Sequence, residues 1–311
     1  MNNGTKGARR AATLLVTAGA VLAASALTTP AQAATSTPSV KAKGAFLLNT
    51  ASGATLYSKA ADTKRQMAST TKMMTATVVL DTKGLNLNRK VTVKKTYRDY
   101  VTKEGASTAD LRTGDKLTVK QLLYATMLPS GCDAAYALAD AFGSGKTVAA
   151  RKSSFIGKMN AKAGSLGMKN TKYDSFDGIS SKGKNYTTPR DMSKLARHAL
   201  KSSTFKTVVA TKSTKQKATA SSGKSRTYTW YNTNKLLGSY KGAIGIKTGT
   251  GTAAGPCLVF AASRGGKTVA GVILNDANRY QDAAKIMDAA FKSKSAKSMK
   301  LRVLPPTAQR D

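Results

Sequence analysis

The sequence predicts an α+β fold, with an antiparallel sheet built from both chain ends, flanked by helices, and a mostly helical insertion. Two observations carry this prediction: hairpin patterns stand near both ends of the chain, and helical patterns fill most of the stretch between them. Each hairpin pattern consists of two short apolar runs separated by a glycine-containing turn, 45–50 with 54–58 and 257–263 with 268–274. We expect the two hairpins to share one sheet.

Local end signals predict the helices in chain order. Thr118 and Gln121 have capping-box spacing, and Thr188-Pro189 supplies an N-cap followed by proline at the first helical position. The predicted helices, with a closing one near the second hairpin, cover 122–128, 133–142, 147–166, 189–200 and 281–291.

The chain ends differ from the middle in composition. A basic start, an apolar run and the small-residue motif Ala31-Gln32-Ala33 predict a secretory signal peptide over residues 1–33. We therefore expect a secreted protein that works on the outer face of the cytoplasmic membrane or in the cell wall, with one domain at 34–291. Residues 292–311 are basic and poor in apolar side chains, which predicts a flexible tail.

Composition excludes several kinds of chemistry. The chain has 311 residues, a formal net charge of +36, one histidine and two cysteines. A single histidine cannot build a histidine-based zinc site, and we expect neither a metal nor another cofactor. Aromatic residues make up 6% of the chain and no nucleic-acid recognition motif is present, so the charge favours contact with anionic envelope polymers or membrane surface over nucleic acid.

Ser69 and Lys72 are the first candidates for catalysis. They stand three residues apart at the start of the run 73–80, which is apolar on every side and predicts a buried helix. A lysine in such a helix is not explained as a solvated residue, and burial favours the neutral amine that can act as a base. Taken alone, Ser69 could equally be a simple N-cap, because a Ser-x-x-Lys spacing is common by chance.

Two further motifs follow in the chain. The segment Leu128 to Asp133 predicts a tight turn between two helices, with Ser130 displayed rather than packed. Lys247-Thr248-Gly249 ends a β-like run, offering a cation and a hydroxyl to a carboxylate and a glycine that lets a ligand backbone approach closely. Each motif is weak alone, whereas all three in this order are specific.

With these three motifs the sequence resembles the low-molecular-mass penicillin-binding proteins, the serine D-alanyl-D-alanine carboxypeptidases and transpeptidases. The resemblance covers about 41–291 and implies the penicillin-binding protein/β-lactamase-like transpeptidase fold. It also implies acyl transfer on peptidoglycan stem peptides that end in D-Ala-D-Ala, with β-lactams as covalent inhibitors, in a protein that we expect to be a monomer.

The resemblance also implies a role for each motif residue. Ser69 would be the nucleophile, Lys72 would accept its proton, and Ser130 would pass a proton to the leaving D-alanine. The substrate carboxylate would bind to Lys247, Thr248 and Thr250. Gly249 and Cys132 would complete the substrate-binding residues. The backbone N–H groups of Ser69 and Thr250 would form the oxyanion hole.

Cys132 stands where most members of the family have asparagine. A thiol cannot donate and accept as an amide does, so we expect altered binding of the substrate amide and a shift from carboxypeptidation towards transpeptidation. As a nucleophile Cys132 ranks below Ser69, because no histidine is near it in sequence to activate it. A disulfide with Cys257 is compatible with export, but two buried free thiols are the favoured prediction.

Two alternatives remain at this point. A class A-like β-lactamase would share the motifs, but it needs a glutamate on the loop between the second and third motifs, and 173–178 contains none. The only glutamate, Glu104, precedes Ser130 in a polar stretch that we expect to be a loop. The other alternative is a non-catalytic cationic module that binds the cell wall. His198, inside the predicted helix from Pro189, is expected to have no catalytic role.

Overall fold

A five-stranded antiparallel sheet forms the centre of the computed structural model, which describes residues 37–309. Its strand order is β2-β1-β11-β10-β9, so the hairpins from the two chain ends do share one sheet and the predicted fold class is confirmed. The strands of the described chain are β1 Gly44–Asn49, β2 Thr55–Lys59, β3 Arg65–Gln66, β4 Lys90–Thr92, β5 Lys116–Thr118, β6 Tyr186–Thr187, β7 Ser213–Thr219, β8 Ser225–Tyr231, β9 Ala243–Gly249, β10 Cys257–Arg264 and β11 Lys267–Leu274.

Helices contribute more residues to the described chain than strands do. A 3-10 turn, Ala68–Thr71, leads directly into the first of them. The helices are α1 Lys72–Leu80, α2 Lys95–Glu104, α3 Val119–Met127, α4 Cys132–Phe142, α5 Val148–Ser165, α6 Pro189–Ala199, α7 Ser203–Ala210, α8 Arg279–Phe291 and α9 Ser295–Ser298. The capping box at Thr118 and the N-cap at Thr188 both form as predicted.

Both faces of the central sheet are covered. Along β1, Phe46 and Leu48 belong to one buried cluster, whereas Ala45 and Leu47 belong to a second cluster on the other face. This alternation follows from the period of two residues in a strand. Helices α6 and α7 pack on the first face and α8 on the second, so the sheet is the middle layer that holds β9 in place.

The expectation of a mostly helical insertion is incomplete. A second antiparallel sheet, in the order β4-β5-β7-β8, lies within it. Strands β7 and β8 were missed because β7 alternates exposed and half-buried polar residues and carries no apolar period. Glu104, expected in a loop, is the last residue of α2, a helix that buries only Tyr97 and Val101 and therefore has a weak apolar pattern.

Residues 292–309, in the tail that the sequence predicts to be flexible, make contacts with the domain. Ala296 N donates to Asp288 Oδ2 over 2.7 Å, and Arg302 donates to two backbone carbonyls. Polar contacts therefore join the tail to the domain, and its flexibility stays a prediction. The predicted signal peptide, 1–33, lies outside the described residues. Within 37–309, none of the helices combines the length and apolarity that a membrane crossing requires.

Candidate active site

Ser69 and Lys72 meet at the junction of the 3-10 turn and α1. Lys72 Nζ lies 2.8 Å from Ser69 Oγ and donates to Asp177 O over 3.0 Å. Lys72 is fully buried, whereas Ser69 is half-buried and reaches the surface of a cleft. The geometry therefore places an amine within hydrogen-bond reach of a hydroxyl that is open on its other side, the arrangement that an activated serine needs.

Side-chain hydrogen bonds fix the 3-10 turn that presents Ser69. Thr70 Oγ1 donates to Met67 O and Thr71 Oγ1 donates to Ala68 O, and Asn185 Nδ2 donates to Thr71 Oγ1. Ala68, directly before the serine, has a left-handed φ of 46°. Because a non-glycine residue adopts this conformation only at a cost, its neighbours must hold the turn in place.

Asp177 contacts Lys72 through its backbone and supports the site through its carboxylate. Its carbonyl accepts from Lys72, and its carboxylate accepts from Tyr100 OH and from Ile179 N. Burial first and the Asp177 charge second raise the pKa of Tyr100, so the phenol stays protonated and donates. Both carboxylate oxygens of Asp177 are engaged in these bonds, which leaves this side chain in a supporting position.

Ser130 is buried, contrary to the expectation that its turn displays it. The segment 107–109 covers the turn: Ser107 Oγ donates to Ser130 O, and Cys132 N donates to Ser107 O. The Asp133 carboxylate holds that segment by accepting from Ala109 N. These long-range contacts are invisible in the sequence of the turn itself.

The conformation of Ser130 is nevertheless unusual. Its φ is 64°, and its buried Oγ has no hydrogen-bond partner within the described residues. A strained backbone with an unsatisfied hydroxyl is costly, and such features concentrate at functional sites.

Strand β9 brings the third motif to the same place. Lys247 and Thr248 are buried, and Thr248 Oγ1 lies 2.7 Å from Thr233 Oγ1. A Cβ added to Gly249 would lie 2.9 Å from Ser69 N, so glycine here admits the backbone of the serine turn rather than, as expected, a ligand backbone. The end of β9 is thus fixed against the Ser69 turn.

Cys132 and Cys257 are both buried and are not joined in a disulfide, which confirms the prediction of two buried thiols. Burial raises the pKa of the Cys132 thiol to about 12, an effect larger than the opposing influence of the Lys72 charge. A protonated thiol is a poor nucleophile, so Ser69 is the better candidate.

A cleft of about 930 Å³ connects these elements, a volume in the range of small-ligand sites. Its wall includes Ser69, Cys132, Glu104, Thr250 and, unexpectedly, Gln309 from the tail. Lys72, Ser130 and Lys247 are buried and do not line its surface.

Sequence reasoning missed several residues that shape the site. Arg279 Nη1, at the start of α8, donates to Gly249 O over 2.8 Å and to Thr250 Oγ1 over 3.0 Å. Gly178 has a φ of 106°, and a Cβ there would lie 2.1 Å from Ala68 O. The turn signal of the Asp177-Gly178 pair could have identified Gly178, whereas the contact of Arg279 depends on the tertiary fold alone.

The single histidine and the side chains that could ligate a metal ion are the last groups of interest. His198 lies away from the cleft, where its Nε2 is 2.7 Å from Asp81 Oδ2. Across residues 37–309, the structure brings together no cluster of three His, Cys, Asp or Glu side chains that could hold a metal ion.

Comparison with known proteins places this geometry in a family. Residues 31–278 match the model of the D-alanyl-D-alanine carboxypeptidase peptidase family. The D-alanyl-D-alanine carboxypeptidase of Streptomyces sp. strain K15 is 56% identical over 288 residues, which is 91% of this chain and 98% of that protein.

Solved structures agree with the match. The crystal structure of the Streptomyces K15 DD-transpeptidase superimposes with a TM-score of 0.81 at 57% identity, over 82% of this chain and 98% of that one. A D-alanyl-D-alanine carboxypeptidase from Mycobacterium tuberculosis has a TM-score of 0.71 at 28% identity, over 88% of this chain and 95% of that one.

Proposed function

The chain belongs to the D-alanyl-D-alanine carboxypeptidase family and is a serine-type D-Ala-D-Ala carboxypeptidase/transpeptidase of peptidoglycan metabolism; from this premise we propose that Ser69 is its nucleophile. The observation that carries the proposal is the 2.8 Å separation of Ser69 Oγ and the fully buried Lys72 Nζ at the cleft. Membership of this enzyme family contradicts the alternative of a non-catalytic wall-binding module.

In the proposed acylation step, Ser69 Oγ attacks the carbonyl carbon between the two terminal D-alanines, and Lys72 Nζ accepts the hydroxyl proton. The C–N bond then breaks, and the leaving D-alanine receives a proton through Ser130. The Oγ of Ser130 supports this relay, because it is buried without a hydrogen-bond partner among the described residues and can therefore both accept and donate a proton.

We assign substrate binding to the end of β9. Lys247, Thr248 and Thr250 hold the terminal carboxylate, with Gly249 keeping this strand against the serine turn. Arg279, which donates to Gly249 O and Thr250 Oγ1, positions the segment. The N–H groups of Ser69 and Thr250 form the oxyanion hole, where each donor contributes about 2.7–4 kcal/mol to the transition state.

Water or an amine from another stem peptide then takes the acyl group from Ser69. A β-lactam acylates Ser69 in the same way, and we infer that this adduct is hydrolysed slowly. The loop 173–178 contains no glutamate, and both oxygens of Asp177 already accept hydrogen bonds, so neither supplies a base for water. Glu104 lines the cleft from the exposed end of α2, but it precedes Ser130 in the chain and does not belong to the loop between the second and third motifs.

The test is intact mass spectrometry after incubation with benzylpenicillin. We expect one stable penicilloyl adduct on the wild type and none on Ser69→Ala. Ser181→Ala is the matched control, since Ser181 also lines the cleft but is exposed, and it should form the adduct normally. An adduct on Ser69→Ala would overturn the assignment of the nucleophile, and antibiotic consumed at many turnovers per second would indicate a β-lactamase.

We also propose that the enzyme works outside the cytoplasmic membrane after removal of residues 1–33. The basic start, apolar run and Ala31-Gln32-Ala33 motif support this proposal. Amino-terminal sequencing of the exported protein should begin at Ala34, and an intact Met1 on the protein outside the cell would contradict it.

A further inference from the structure

The C-terminal strap, defined here as Leu301–Gln309, is attached to the domain by Arg302. The guanidinium Nη2 donates to Asn232 O over 2.6 Å and to Asn234 O over 3.1 Å, and the backbone N donates to Ser239 Oγ over 2.7 Å. Charged donors on backbone carbonyls make strong hydrogen bonds, so this attachment is specific.

The loop that Arg302 grips also supports the candidate active site. Between the two carbonyls stands Thr233, whose Oγ1 lies 2.7 Å from Thr248 Oγ1 of the third motif. Thr233 N donates to Leu128 O, just before the turn that holds Ser130. The strap is therefore attached to a loop that contacts both the segment before the second motif and the third motif.

Beyond this attachment the strap reaches the cleft itself. Thr307, Ala308 and Gln309 line the same cavity as Ser69 and Thr250. Gln309 Nε2 also donates to Thr229 O on β8 over 3.4 Å. A second cavity, of about 520 Å³, lies between the strap and the side chains of Arg279 and Tyr280.

The composition of the strap is that of a cleft wall that restricts space and does not bind a ligand through charge. From Val303 to Gln309 it carries no charge, and Pro305-Pro306 restricts its backbone freedom immediately before the residues that line the cleft. Among the described residues, this stretch offers the substrate carboxylate no charged side chain. Its effect on a ligand is therefore mainly steric.

We propose that the strap is a specificity wall that limits the size of the leaving group and of the acceptor at the Thr250 end of the cleft. This inference rests on the proposed function, which places the terminal carboxylate of the substrate on Lys247, Thr248 and Thr250. The wall favours a leaving group of a single small amino acid and an acceptor amine on a slender chain, and it disfavours bulky groups at either position.

The wall can be tested with two cephalosporins that have the same acyl side chain and differ only at C3. One carries a methyl group at C3 and the other a bulky heterocyclic thiomethyl group. The carboxylate-bearing ring of a β-lactam takes the place of the leaving amino acid, so the C3 substituent lies on that side. We expect the wild type to be acylated faster by the methyl compound. Truncation after Lys300 should reduce at least fivefold the ratio of the acylation rate constant of the methyl compound to that of the bulky compound.

Arg302→Gln keeps the chain at full length and tests the same wall if the truncated chain does not fold. It should reduce this ratio at least twofold, because the strap loses the two guanidinium hydrogen bonds of its attachment. Lys300→Gln removes the same charge from an exposed neighbour and should keep the wild-type ratio. A purely structural role for the strap would lower thermal stability and leave this ratio unchanged.

The outcomes separate the two proposals. Normal acylation with an unchanged ratio in the truncated chain and in Arg302→Gln would overturn the wall while leaving the proposed function intact. If neither cephalosporin acylated the wild type, the proposed function would fail and the wall with it.

Discussion

Cys132 is the residue at which the sequence resemblance leads us to expect asparagine. It lines the cleft, and its Sγ lies 3.7 Å from Ser107 Oγ and 3.9 Å from Ser130 O, both weak contacts for sulfur. An amide at this position could accept and donate strong hydrogen bonds to a substrate amide, and a thiol cannot. The difference bears on how the donor peptide is held while water or an amine attacks.

Cys132→Asn should therefore increase hydrolysis relative to transpeptidation at least threefold with a D-Ala-D-Ala donor peptide and an added amine acceptor. The restored amide would hold the acyl chain firmly enough for water to compete. Product ratios by chromatography measure the effect. Cys257→Ala, which removes the other buried thiol outside the cleft lining, is the control, and an equal shift in both variants would contradict the explanation.

The sequence could predict those site features that are local. Ser69 and Lys72 are three residues apart, and helical geometry alone brings such side chains together. The burial of Ser130 depends instead on Ser107 and Asp133, and the contact of Arg279 with Thr250 spans 29 positions. No local pattern encodes contacts of this kind.

At the scale of elements, the serine turn depends on how closely a loop can approach it. A Cβ on Gly178 would lie 2.1 Å from Ala68 O and 2.9 Å from Ser69 N, and its φ of 106° disfavours any other residue. Gly178→Ala should displace the turn and lower the benzylpenicillin acylation rate by at least tenfold. Stopped-flow or quenched mass spectrometry measures the rate.

Gly167→Ala provides the control for backbone strain. Gly167 also has a positive φ, of 66°, but a Cβ there would meet no atom within 4 Å. This variant should lose some stability, of order 1 kcal/mol, and keep its acylation rate. Equal loss of acylation in both variants would mean that strain, and not the approach to Ser69, is responsible.

Asp81 ties the ends of three helices together. Its carboxylate accepts from Lys162 over 2.8 Å and from His198 over 2.7 Å. Burial raises the pKa of Asp81, but the hydrogen bonds and charges of Lys162 and His198 outweigh it, so the pKa lies below the usual 3.8. A depressed carboxyl pKa stabilises the fold above the unfolded pKa, and this stabilisation is lost as pH falls through the folded pKa.

Asp81→Asn should lower the melting temperature at pH 7 by about 2 °C, which corresponds to about 1 kcal/mol for a chain of this size. The difference from the wild type should shrink below pH 3.8. Asp62→Asn removes an exposed pair with Arg190 and should have a smaller effect. Calorimetry that found a constant difference from pH 7 to pH 2 would contradict the ion-pair explanation.

Elements with a strong apolar period were predictable, and those without one were not. Helices α3 to α6 and the two terminal hairpins follow their sequence signals closely. Strand β7 exposes or half-exposes most of its residues, and α2 buries only two. The strap is held by the side-chain and backbone donors of Arg302, which hydropathy does not report.

At the scale of the whole molecule, the excess of lysine and arginine over acidic residues makes the protein strongly cationic. The formal net charge is +36, and several carboxylates are buried in hydrogen bonds or ion pairs, among them Asp115, Asp133, Asp140 and Asp191. Since these acids face inward, the lysines and arginines dominate the exterior of the described chain. We expect such a surface to bind anionic envelope polymers through long-range attraction.

Cosedimentation with purified cell walls, before and after removal of their anionic polymers, measures this attraction. Binding to untreated walls should be strong at low ionic strength and largely lost at about 0.5 M salt, where the screening length falls to a few ångströms. Stripped walls should bind much less at every salt concentration. Ser69→Ala should bind as the wild type does, because the attraction uses the surface and not the cleft. Binding that survives high salt, or that requires Ser69, would show that the protein is retained through its active site, and the charge would then need another explanation.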